Sequence, residues 1–179
     1  SAALSVGRNK MAVATVGSLV VFAGGRIITA DAAQTRVTSE SDHVDIYDAS
    51  DGSWSTGSLS HARSSSAAAV VGHAVYVGGG VGADGETMDV IEIFDSVSRR
   101  WSVATSRLSR ARCGVVGVGM GSTVVFAGGV TVVPDILHPH YSAYTTDAVD
   151  ILSFDTSSTC ASCEAGKYGP SGHGQCLDC

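Results

Sequence analysis

The sequence predicts an all-β protein of three repeated four-stranded units, followed by a small cysteine-rich module. Three observations carry this reading: an 18-residue segment that recurs three times without a gap, strand-forming runs punctuated by Gly, Asp and Ser, and an abrupt change of composition after Thr159. Each element follows from local chemistry, taken in chain order.

The recurring segments run from Arg8 to Gly25, Arg63 to Gly80 and Arg112 to Gly129, and each sets a glycine nine residues after its arginine, at Gly17, Gly72 and Gly121. Valine, alanine, isoleucine and aromatic residues fill the flanking runs, which suits extended chain on a half-buried pleated surface. Gly17-Ser18, Gly72-His73 and Gly121-Ser122 therefore read as tight hairpin turns, because glycine reaches positive φ without a Cβ clash. Beyond Gly24-Gly25, Gly79-Gly80 and Gly128-Gly129 comes a loop of variable length. An alternating strand follows, closing on an aromatic–Asp pair: Tyr47-Asp48, Phe94-Asp95 and Phe154-Asp155. Trp54 and Trp101 stand six residues after the first two of these aspartates and mark a fourth strand. Leu-Ser-x-x-Arg then opens the next unit, from Leu59 to Arg63 and from Leu108 to Arg112, as Leu4 to Arg8 opens the first. Four short strands at a period of roughly 50 residues describe the blade of a β-propeller, a unit that cannot bury its apolar faces alone.

Arginine, hydrophobic hairpin, double glycine, aromatic–Asp pair and spaced tryptophan, recurring in that order over residues 4 to 155, resemble the kelch repeat. The resemblance implies three kelch-type blades within residues 1–158, at about 4–58, 59–107 and 108–158. The third departs from the pattern: no tryptophan follows Phe154-Asp155. Recurrence once per blade points Arg8, Arg63 and Arg112 to a structural role, hydrogen-bonding carbonyls or the aspartates between blades. Trp54 and Trp101 are expected to pack blades rather than to stack on a ligand.

Three blades do not close a ring, since propellers typically use four to eight. The end blades would expose apolar faces, which call for cover. The arc is thus expected to be a piece of a larger propeller, with pairing of two copies or capping by another subunit as alternatives. A protein partner or larger assembly is the implied company. Net charge is −6 with no basic stripe, so nucleic acid is not expected. Cys113 to Val133 runs 21 residues without a charge, the length of a membrane helix, but six glycines and its alignment with the other two cassettes make it a hairpin.

The tail carries Cys160, Cys163, Cys176 and Cys179, a C-x2-C-x12-C-x2-C spacing. Four thiolates in two close pairs suit tetrahedral zinc, and the same four suit disulfides in a module too short to build a core. Gly166-Lys167-Tyr168 with Gly172 and Gly174 between the pairs resembles the ephrin-receptor-like cysteine-rich repeat, which implies disulfides at residues 159–179 and an extracellular or cell-surface setting. Zinc is then the alternative, and no other cofactor is expected.

The loops between double glycine and aromatic–Asp hold the remaining chemistry. The first and third carry insertions, Arg26 to Asp42 and Val130 to Asp147. Within the third, Asp135, His138, His140, Tyr141 and Tyr144 are candidates for partner contact, and His138 and His140 for a metal. Some kelch-like propellers, of the galactose-oxidase type, hold copper with histidines and tyrosines; no motif here matches that set. Cys113 reads as a small buried apolar residue. Gly80 to Gly85 matches G-x-G-x-x-G, but Met88 to Asp95 looks like a strand rather than a helix, so it reads as a turn.

No nucleophile motif appears. The expected role is a non-enzymatic extracellular interaction or assembly module working through loops and open blade faces. A fragment of a secreted carbohydrate-active or copper-dependent oxidase, and an intracellular kelch adaptor with a zinc module, are the alternatives.

Overall fold

Each unit begins with a hairpin whose two-residue loop starts on glycine, and Gly17, Gly72 and Gly121 take φ of +57°, +56° and +58°. Glycine in the first loop position matches the twist of the flanking strands. The structure, a computed structural model, describes residues 3–134 and 141–154.

In the first unit, β1 (Ala12–Val16) and β2 (Leu19–Ala23) form that hairpin. The chain then makes a second hairpin, β3 (Arg26–Ala30) with β4 (Arg36–Glu40), before β5 (His43–Asp48) and β6 (Ser53–Ser58) complete a sheet ordered β1-β2-β5-β6. The second unit adds short β7 (Arg63–Ser64) and β10 (Val81–Gly82), which pair with each other. Its main sheet holds β8 (Ala67–Val71), β9 (Ala74–Gly78), β11 (Val90–Asp95) and β12 (Arg100–Arg107) in the equivalent order. In the third, β13 (Val116–Met120), β14 (Thr123–Ala127) and β17 (Val149–Ser153) form a three-stranded sheet among the described residues. Between β14 and β17 lies the hairpin β15 (Val130–Pro134) with β16 (Tyr141–Thr145).

All regular structure among the described residues is strand, in the arrangement of propeller blades. No helix among them is long and apolar enough to cross a membrane. The stretch from Cys113 to Val133 is β13, β14 and the start of β15. Both sequence insertions, read as loops, are regular hairpins instead. Ile27, Ile28 and Thr29 pair with Ser39, Thr38 and Val37, so the insertion satisfies much of its own backbone, while Arg26 exchanges main-chain bonds with Asn9 of the blade.

The blades stack through two cores, one face of each sheet against the next. Between blades 1 and 2, Val21, Val44 and Ile46 meet Val75, Val77 and Phe94. Between blades 2 and 3, Ala69, Tyr76 and Ile91 meet Val124 and Phe126. The innermost strand β8 touches both β1 and β13. Close approach there requires small residues. A Cβ on Gly117 would lie 2.9 Å from the Ala68 carbonyl oxygen, and Gly119 lies tighter still against Val70. The Val-Gly-Val-Gly-Met alternation of β13 thus sets glycine toward blade 2 and bulk away from it.

Candidate functional site

The arginine that opens each unit is a buried staple within its own blade. Arg8 Nη1 lies 2.8 Å from Asp45 Oδ2, Arg112 Nη2 lies 2.6 Å from Asp150 Oδ2, and Arg63 pairs with Glu92; all three guanidinium groups are fully buried. Each also donates to main-chain carbonyls: Arg8 Nε to Gly24 at 2.8 Å, Arg63 Nη1 to Val90 at 3.0 Å, Arg112 Nη2 to Phe126 at 3.2 Å. The serine of Leu-Ser-x-x-Arg donates its N–H to the same carboxylate, Ser5 to Asp45, Ser60 to Glu92 and Ser109 to Asp150. Burial of charge is tolerable only when paired in this way. Burial pushes the Asp45 carboxyl up, but the bonds from Ser5 and Arg8 outweigh it and leave it below its ordinary value. Burial pulls Arg63 down while Glu92 opposes.

These carboxylates lie inside the blade and are not the aspartates of the aromatic–Asp pairs. Those have a different task. Asp95 accepts N–H bonds from Val97 and Ser98 in the turn between β11 and β12. Asp48 accepts from Ser50 and Ser18 and from Arg99 of blade 2 at 2.8 Å, and these bonds hold its carboxyl well below the usual range.

Main-chain hydrogen bonds also join one blade to the next. Gly25 N–H donates to the Arg63 carbonyl at 2.7 Å and Gly80 N–H to the Arg112 carbonyl at 2.9 Å. Ser65 N–H donates to the Lys10 carbonyl and Gly114 N–H to the Ser65 carbonyl. The first glycine of each pair permits this approach, since a Cβ on Gly24 or Gly79 would stand 2.5 Å from the carbonyl oxygen of Arg63 or Arg112. Gly128 has the same backbone, φ +64° against +65° and +70°, yet its Cβ would meet nothing closer than 3.9 Å. Its neighbouring space is open.

The trailing face of blade 3 is open as a whole. Ala12, Val16, Val44 and Ile46 in blade 1 are 3%, 3%, 0% and 5% exposed, while their register equivalents Val116, Met120, Val149 and Ile151 are 69%, 75%, 54% and 66% exposed. Val118 joins them. The leading face of blade 1 is open in the same sense: Trp101 and Phe94 of blade 2 pack into the core, whereas Trp54, stacked on Phe22 and tilted against Tyr47, and Val13 are exposed.

A kelch motif model matches residues 62–107. The matched residues span the middle blade, which is similar to a kelch motif. Its arginine, glycine pair, aromatic–Asp pair and tryptophan recur on either side of it, save for the third tryptophan, and the three blades share one set of internal bonds. No curated protein matches the chain.

The remaining candidates lie elsewhere. Tyr141 opens β16 and Tyr144 is exposed on it. Asp135, His138, His140, Cys160, Cys163, Cys176 and Cys179 lie outside the described residues. Among the described residues no three His, Cys, Asp or Glu side chains gather as a metal site. Cys113 is half-buried, not fully buried, and burial pushes its thiol up, away from the thiolate. Sequence reasoning did not single out Asp45, Glu92 and Asp150, although an acid flanked by apolar residues in Val-Asp-Ile, Ile-Glu-Ile and Val-Asp-Ile was a signal for a buried pair.

Proposed function

We propose that this kelch segment is a non-catalytic protein-interaction and assembly module. The carrying observation is the aliphatic face of blade 3, exposed at positions that blades 1 and 2 bury against a neighbour. The ionisable groups that recur in the kelch pattern are consumed by internal staples and turns, so what the blades offer outward is apolar sheet and hairpin edge. Burying such a face releases water at about 25 cal/mol per Å² of apolar surface, the dominant favourable term in association. The β3–β4 and β15–β16 hairpins, with Ile28, Val37 and Tyr144 exposed, add contact surface beside the junctions.

A photo-crosslinking residue at Val118 tests this reading in the protein's natural source. It should yield discrete protein adducts, whereas the same residue at Val97, exposed on the turn between β11 and β12, should not. Equal labelling from both sites refutes it. The four-cysteine tail favours an extracellular setting for the module. Intact mass of the natural protein before and after reduction checks that: a gain of four protons from the tail agrees, and an unchanged thiol count with a chelatable zinc adduct rejects it.

A further inference from the structure

We infer that a second copy of this chain docks head to tail, the leading face of its first blade covering the trailing face of blade 3, so that two copies close six blades. The inference rests on the assembly reading and names the partner for that same face.

The chain carries both halves of a junction that it builds twice internally. At each built junction an apolar trailing face, aliphatic in blade 1 and including Tyr76 in blade 2, receives a leading face of valine and aromatic side chains. The unfilled trailing face presents Val116, Val118, Met120, Val149 and Ile151. The unfilled leading face presents Val13, Phe22, Tyr47 and Trp54.

Main-chain groups match in the same sense. Each built junction uses one bond from the second glycine to the next arginine carbonyl, and one between residues two places after the arginines. Among the described residues Gly129 N–H and the Gly114 carbonyl have no hydrogen-bond partner, and neither do the Arg8 carbonyl and Lys10 N–H. A second copy supplies the complement of each: Gly129 N–H to its Arg8 carbonyl, and its Lys10 N–H to the Gly114 carbonyl. The open space beside Gly128 is where that Arg8 carbonyl stands, as Arg63 and Arg112 stand beside Gly24 and Gly79.

Six blades lie within the range in which propellers close, and a head-to-tail contact that closes ends in a ring rather than a fibre. The inner strands are bulkier here, Val13 and Thr15 meeting Val118 and Met120 where β8 and β13 meet through glycine. They therefore stand further apart than the β8–β13 pair.

Sedimentation of the purified chain from nanomolar to high micromolar concentration tests this, with Met120→Lys on one face and Val13→Lys on the other. Both positions are exposed in the single chain, so circular dichroism should not change. The expected wild-type particle is two chains. Each variant alone should raise the dissociation constant at least about 30-fold, the scale of a lost hot spot. Mixing the two variants should restore pairing, because one of the two junctions is then intact. A pair that survives Val13→Lys but not Met120→Lys is tail to tail and overturns the inference, as does a wild-type monomer throughout. In that last case a hydrophobic dye separates the two failures. Dye bound by wild type and lost in Met120→Lys leaves the face open for another protein, and the assembly reading stands. Equal dye binding means the chain's own remaining residues cover the face, and both fall.

Discussion

Replacing the first glycine of each pair by alanine should cost unequally at equal backbone geometry. Gly79 and Gly128 have φ of +70° and +64°, so alanine at either one meets the same left-handed penalty of about 1–2 kcal/mol. At Gly79 the new Cβ also stands 2.5 Å from the Arg112 carbonyl oxygen and 3.0 Å from Val115 Cγ2. Blade 3 must move away, and overpacking of that kind costs about 1–3 kcal/mol. The movement also stretches the Gly80 N–H bond to the same carbonyl, 2.9 Å long, worth about 1 kcal/mol net. Gly79→Ala should therefore lose about 3–6 kcal/mol and Gly128→Ala about 1–2 kcal/mol. Urea unfolding followed by tryptophan fluorescence, at concentrations too low for pairing, measures both. Equal losses would show that the carbonyl contact carries no weight and that the blade junction is held otherwise. At high concentration the order should partly reverse, because Gly128→Ala then blocks the carbonyl of an incoming copy.

Other consequences follow from the staples and faces. Arg63→Met leaves Glu92 buried without its countercharge and should cost about 3–5 kcal/mol, while the double variant with Glu92→Met recovers most of that loss in urea unfolding. Asp48, held low by Ser50, Arg99 and Ser18, contributes stability that is present above the unfolded carboxyl pKa of about 3.9 and lost as pH falls below it. Thermal unfolding of Asp48→Asn should therefore show a flatter decline on acidification than wild type, and identical slopes would contradict the assignment. With Trp101→Phe leaving Trp54 as the sole tryptophan, emission should shift to the blue as concentration rises, since docking buries that ring. Iodoacetamide should label Cys113 slower in the folded chain than in urea, the half-buried thiol being pushed up.

Much of the blade was legible in the residues. Gly17, Gly72 and Gly121 had to be turns because a two-residue hairpin needs positive φ, and Val-Ala alternation around them had to be strand. The insertions were less legible. Residues 26–42 are polar with no clean alternation, and their hairpin is written in backbone pairing rather than in side-chain burial, so pattern alone reads a loop. The arginine staples were half-legible. Recurrence marked Arg8, Arg63 and Arg112 as structural, but the partner acid could be chosen only when β5, β11 and β17 were laid beside their hairpins. The nearest repeated aspartates, Asp48 and Asp95, turned out to serve turns instead.

Residue pattern alone establishes that the chain is β and that its unit repeats with a kelch-like order of arginine, glycine pair and aromatic–Asp. These are local properties, fixed by glycine φ, side-chain period and spacing. Only the tertiary structure decided which faces are filled. Val116 and Ala12 occupy the same place in the repeat, and nothing in their chemistry says that one is buried and the other exposed. That difference depends on whether another blade stands alongside, which is a fact about neighbours in space and not about the residue.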